Sequence, residues 1–109
     1  MDKMGRVIID PPLSGPRNMA VDEAMLLAAG QVGKMTLRLY RWDKPTISLG
    51  CFQCYQQRDQ LDPALQALPI VRRITGGGAI LHDLEITYSL IILTSNYLPI
   101  ISSFSEFFI

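Results

Sequence analysis

The run Arg72-Arg73-Ile74-Thr75-Gly76-Gly77-Gly78-Ala79-Ile80-Leu81-His82-Asp83 gathers the residue types that can do chemistry. Three consecutive glycines carry no Cβ, so backbone N–H groups can approach a ligand closely. An arginine just ahead of them can fork onto a carboxylate or a phosphate. Thr75 adds a hydroxyl donor. His82 ends the next extended segment, where it can face the same space. The set suits a ligand with an anionic head and an apolar body. The bland alternative is a hairpin turn, but a two-residue turn needs one or two glycines rather than three. The run matches neither the G-x-G-x-x-G dinucleotide fingerprint nor the P-loop.

These residues need elements to hold them. Val7-Ile8-Ile9 is a short apolar run that reads as a strand. Asp10 to Pro16, with three prolines and a glycine, reads as a loop. Asn18 can cap a helix over Met19–Ala29, with Asp22 and Glu23 in or near its first turn and Gly30 as its stop. Met19, Ala20, Ala24, Leu27 and Ala28 supply its helical spacing. Thr36 to Arg41 alternates as a half-buried strand. Asp43-Lys44-Pro45 turns the chain into a second strand, Thr46 to Leu49, ended by Gly50. Asp62-Pro63 starts a short helix. Ile70 to Arg73 and Ala79 to His82 are extended on either side of the glycines, and Ile86 to Leu93 is a buried β-branched strand. Ser102 or Ser103 caps a last helix. The apolar ending Phe107-Phe108-Ile109 needs a surface to cover, which favours a fragment or one half of a split protein.

The string RRITGGGAILHD closely resembles the signature of the lipoate-protein ligase A and octanoyltransferase family, relatives of the biotin-protein ligases. Other pieces agree in order. GPRNMAVDEAML resembles the family's first helix, and LYRWDKPTISLGCFQ its paired strands. ITYSLII followed by SNYLP resembles the strand and turn after the signature. The resemblance implies that residues 1–109 are the N-terminal part of a biotin/lipoate ligase-type catalytic domain. The implied fold is α/β, in the α+β sense. It is a truncated form of the core shared with class II aminoacyl-tRNA synthetases, a mixed, largely antiparallel sheet with flanking helices.

By motif position, the resemblance implies that Arg73 and Thr75 contact the acyl or acyl-adenylate group. Gly76, Gly77 and Gly78 would line the acyl tunnel and its carbonyl or phosphate end. His82 would stand at the pocket wall, and Gln53 joins them. Trp42 would line the pocket or pack in the core, and Asp83 would have a structural role. The implied activity attaches lipoyl or octanoyl groups to a lysine of a lipoyl carrier domain, in 2-oxoacid dehydrogenase or glycine cleavage proteins. The acyl donor would be an acyl carrier protein, or free acid with ATP and Mg. Family members rely on a lysine downstream of the glycines, whereas this chain has Lys3, Lys34 and Lys44, all upstream. The cysteine of the thiol-dependent transferases also lies downstream, unlike Cys51 and Cys54. The chain is therefore expected to need a separate C-terminal half, or a homo-oligomer, for turnover. The alternative is a non-catalytic remnant that binds a fatty-acyl ligand or a partner chain.

Composition bounds the rest. Ten basic and ten acidic residues cancel, so no net positive field draws the chain to nucleic acid or an anionic membrane. No clean apolar run of about 20 residues marks a membrane span. A lone C-x-x-C with a single histidine falls short of a zinc site, so no metal is expected. The two thiols are expected to be reduced and packed as small hydrophobes. The chain reads as soluble and cytoplasmic.

Overall fold

The structure is a computed structural model that describes residues 5–93 and 99–106. Two small mixed sheets and one long helix form the α+β architecture. The larger sheet has the order β1-β2-β6-β7. Here β1 is Arg6–Ile9, β2 Thr36–Tyr40, β6 Ile86–Leu93 and β7 Pro99–Glu106. β1 runs parallel to β2, and the other two pairings are antiparallel. The smaller sheet has the order β4-β3-β5, with β3 Thr46–Leu49 parallel to β4 Ile70–Arg72 and antiparallel to β5 Ile80–His82. The resemblance implied one sheet, and the strands in fact divide between two.

The long helix α1 spans Gly15–Val32. It begins before Met19 because Ser14, not Asn18, is its cap: the Ser14 hydroxyl accepts from the Arg17 amide at 3.3 Å. Pro16 is tolerated in the first turn, where its missing N–H would have no helical partner. The stop is Gly33 rather than Gly30. Gly33 takes φ 69° and donates its amide to the Ala29 carbonyl at 2.9 Å. Gly33→Ala is expected to cost about 1 kcal/mol, from φ alone, since open space surrounds the position. The midpoint of urea unfolding measures it.

The buried stripe of α1 also differs from the expected one. It runs through Asn18, Asp22, Met25 and Ala29, while Ala20, Ala24 and Leu27 are exposed. Asp22 and Glu23 therefore lie in the helix body, not its first turn. Half of this stripe is polar because it covers Arg38. That side chain, 0% exposed, donates to Asp10 (2.7 Å), Asp22 (3.0 Å), and both the carbonyl (3.1 Å) and the side-chain oxygen (2.8 Å) of Asn18. Asp22 also accepts from Tyr40 (3.0 Å) and Ser89 (2.8 Å). Burial, and then the adjacent Asp22 carboxylate, raise the Tyr40 pKa, so the phenol stays a neutral donor. Below this network Met25, Ala29 and Ile91 form the apolar core, flanked by Ile8, Val21, Leu26, Leu93 and Ile101.

The last helix expected from Ser102 or Ser103 is absent, because the backbone there is β7 and pairs with β6 from Leu93↔Pro99 to Ile86↔Glu106. That ladder satisfies the outer hydrogen-bonding edge of β6, which a helix would leave open. Phe107, Phe108 and Ile109 lie outside the described residues. The sheet face turned away from α1 is apolar, with Val7, Leu37 and Leu90 in one row and Ile9, Leu39 and Tyr88 in the next. Val7 is 62% and Ile9 74% exposed.

Candidate active site

The glycine loop lies against the smaller sheet. β3 is followed by Gly50, which sits so close to the loop that a Cβ on it would stand 2.1 Å from the Gly77 carbonyl oxygen. The Cys51 amide donates to the Thr75 carbonyl at 2.9 Å, tying the β3 exit to the loop entrance. Arg72 braces the same exit by donating to the carbonyls of Gly50 (3.3 Å), Cys51 (3.5 Å) and Gln53. Gly77 has φ 96°, a conformation that favours glycine.

Arg73 organises the loop from below. It is 6% exposed. Its Nη1 donates to the Ser48 carbonyl (2.9 Å) and to Ser48 Oγ (2.5 Å). Its Nη2 donates to the carbonyls of Gly76 (2.9 Å) and Gly78 (2.8 Å). A trans peptide sets C=O and N–H on opposite sides. Turning those two carbonyls inward therefore turns the amides of Gly77 and Ala79 outward, on a loop whose three glycines are exposed. Burial lowers the Arg73 pKa, but a guanidinium keeps its charge at neutral pH. Among the described residues no carboxylate forms an ion pair with it. The loop thus presents outward amides over a buried positive charge, an arrangement that holds an anionic oxygen.

Beside the loop lies a cavity of about 290 Å³, lined by Leu49, Gln53, Gln60, Leu61 and Ala79. Its walls are chiefly aliphatic. The Gln53 side chain accepts from the Gly50 amide at 2.8 Å, so it fixes the turn at the cavity's edge. Gln60 and Leu61 come from the 3-10 turn Tyr55–Gln60 and its end, which lead into α2, Pro63–Gln66, capped by Asp62.

The structure thus brings Thr75, Gly76, Gly77, Gly78 and Gln53 around one surface, with Arg73 buried beneath it rather than exposed on it. Thr75 is half-buried there. His82 is placed differently: it is 1% exposed, behind the loop, with Nε2 at 2.7 Å from Ser48 Oγ and Nδ1 at 2.5 Å from Glu85 Oε2. Its ring stacks on Trp42 at 4.0 Å between centroids. Trp42 itself is buried in the core and donates to Thr87 at 2.9 Å. The partner of His82 is Glu85 rather than Asp83, whose amide instead donates to Glu85 at 2.7 Å. Of the two thiols, Cys51 is half-buried and Cys54 exposed, so Cys54 does not pack as a small hydrophobe. Among the described residues no group of His, Cys, Asp and Glu could hold a metal, and no helix is long and apolar enough to cross a membrane.

Glu85 and Ser48 are the site residues that sequence reasoning missed. Burial alone would raise the Glu85 pKa. The bonds from His82, the Asp83 amide and Thr87 outweigh burial and hold the carboxyl below its ordinary 4.5. Those bonds therefore stabilise the fold fully above that pH and lose their contribution as the pH falls below it. The melting temperature of the parent chain is expected to fall more steeply below pH 4.5 than that of Glu85→Gln. Parallel acid profiles would refute this.

Comparison with known proteins identifies relatives of the chain. The profile of the lipoyl protein ligase A/B catalytic domain matches residues 14–108. The octanoyltransferase LipM of Moorella thermoacetica is 48% identical over 88 residues, covering 77% of this chain and 32% of its own length. Among solved structures, a Thermoplasma acidophilum protein assigned as a lipoate protein ligase, with lipoic acid bound, superposes at TM-score 0.70 and 28% identity, covering 84% of this chain and 39% of its own. A bi-partite lipoate protein ligase from the same organism, studied with its E2 lipoyl domain, gives TM-score 0.67 at 26% identity, covering 84% and 37%. The chain spans about a third of the length of the relatives it matches. With the match running through the first helix, the glycine loop and both sheets, this chain belongs to the lipoyl protein ligase A/B catalytic domain family.

Proposed function

We propose that this chain supplies the acyl-binding part of a domain that attaches lipoyl or octanoyl groups to a lysine of a lipoyl carrier domain. One observation carries the reading: a glycine loop with outward amides, drawn over the buried Arg73 cation, borders a mainly aliphatic cavity of about 290 Å³. That volume is at the small end of ligand sites, roughly 300–1,000 Å³, and suits a short acyl chain rather than a nucleotide. Each buried methylene contributes about 0.8 kcal/mol. The carboxylate, thioester carbonyl or adenylate phosphate would lie on the Gly77 and Ala79 amides.

On this reading the chain is the N-terminal part of the catalytic domain. The lysine that polarises the acyl carbonyl comes from the rest of that domain, in the same chain or a second one. Carrier domains of 2-oxoacid dehydrogenase and glycine cleavage proteins are the acceptors, and the setting is cytoplasmic. The donor is octanoyl-carrier protein, or lipoate with ATP and Mg.

The test is the intact mass of an unmodified lipoyl carrier domain, incubated with the folded chain and either donor. The expected result is no gain from the chain alone, with octanoate or lipoate still shifting the amide signals of Gly77 and Ala79. A folded chain whose loop signals ignore both acids would sink the acyl-site reading. A mass gain would show that no further lysine is required.

A further inference from the structure

Behind the glycine loop, four buried side chains are joined end to end. Arg73 has only donors, so Ser48 Oγ must accept from it. The Ser48 hydroxyl hydrogen can then be given to His82 Nε2 at 2.7 Å. With Nε2 accepting, the imidazole proton lies on Nδ1, which donates to Glu85 Oε2 at 2.5 Å. Thr87 donates to the same carboxylate oxygen at 2.9 Å, and the Asp83 amide to the other at 2.7 Å. The Trp42 ring, 14° from parallel, fixes the imidazole plane. A single proton arrangement can therefore satisfy the whole chain, from a cation under the loop to a carboxylate at the start of β6. Ser48, His82 and Glu85 are each 0–1% exposed, so water does not substitute for any member.

We infer that Glu85 and Ser48 are positioning residues, which hold the Arg73 guanidinium, and through it the outward Gly77 and Ala79 amides, in the geometry that receives the anionic end of the acyl group. Glu85 acts without touching the loop. The inference deepens the acyl-site reading and rests on it for the identity of the ligand. A merely structural cluster would hold the two sheets together and leave the binding of a folded variant unchanged.

The experiment is an octanoate titration of the 109-residue chain, followed by the amide signals of residues 75–79, in Ser48→Ala, Ser48→Thr and Glu85→Gln. Gly33→Ala serves as a control that loses stability far from the loop. Ser48→Ala and Glu85→Gln are each expected to weaken octanoate about tenfold, the worth of about one hydrogen bond, and to shift the ligand-free signals of Gly76 to Gly78. Ser48→Thr, which keeps the hydroxyl, restores binding, and Gly33→Ala binds like the parent. If Glu85→Gln folds and both its ligand-free loop signals and its affinity match the parent, the inference is overturned. Should Glu85→Gln not fold, Ser48→Ala decides alike, because it leaves the His82–Glu85 contact in place. A parent chain that ignores octanoate, but whose loop signals move in Glu85→Gln, overturns the acyl-site reading and supports the relay.

Discussion

Arg38→Ala is expected to lower the stability of the chain by about 3–5 kcal/mol, the usual effect of removing one partner from a buried ion pair. Small domains have only about 5–15 kcal/mol in total, so much of the chain would be unfolded at 37 °C. The loss comes from what stays behind. Asp22 is 3% exposed and would keep only Tyr40 and Ser89, and the Asn18 side-chain oxygen would lose its donor. The same argument predicts that Arg38→Met combined with Asp22→Leu recovers only part of the loss: no unpaired charge is then buried, but the Tyr40 and Ser89 hydroxyls lose their acceptor and the Asn18 side-chain oxygen its donor. Urea midpoints of the single and double variants measure both. A single variant within about 1 kcal/mol of the parent would mean that water reaches Asp22.

Gly50→Ala is expected to abolish acyl binding and to cost about 1–3 kcal/mol of stability by overpacking. Its new methyl would stand 2.1 Å from the Gly77 carbonyl oxygen and 2.9 Å from the carbonyl carbon, both backbone atoms that cannot rotate aside. Either β3 or the loop must move, and the Cys51–Thr75 hydrogen bond ties the two together. Gly76→Ala is the contrast, since nothing lies within 4 Å of a methyl there and its φ is not positive. It is expected to keep the parent's stability within about 0.5 kcal/mol. The glycines of the signature are therefore unequal, and one outside it matters more than its first. Octanoate titration of both variants checks the pair, and a Gly50→Ala chain that binds like the parent would refute the close approach.

Local patterning made most strands readable. Thr36 to Tyr40 alternates, Thr46 to Leu49 is bounded by Pro45 and Gly50, and Ile86 to Leu93 is β-branched, so period and punctuation sufficed. The start of α1 was also local information, but Asn18 looks as good a cap as Ser14 until the Arg17 amide is seen to turn toward the serine. The helix's buried face could not be read that way. Asn18 and Asp22 are buried only because Arg38, twenty and sixteen residues away, lies beneath them. Apolar spacing is blind to a polar stripe.

The division of the strands into two sheets depends on pairings between distant residues, and so does the partner of Arg73. Ser48 and His82 stand 34 residues apart in sequence. Glu85 was the exception. A carboxylate three residues after a histidine, across a turn, is a local signal that the pair can meet. The glycine run itself was legible as a loop between two strands. That its arginine holds the loop by the loop's own carbonyls, turned inward, was not.

One further consequence belongs to Trp42, the only tryptophan in the chain. It bridges to Leu13 at the foot of α1, bonds Thr87 in the larger sheet and stacks on His82 in the smaller. Its emission therefore monitors one seam and not the chain as a whole. Fluorescence would follow the parting of the two sheets while circular dichroism followed α1. Any lag between the two signals during unfolding would show whether the loop's support gives way before the helix does.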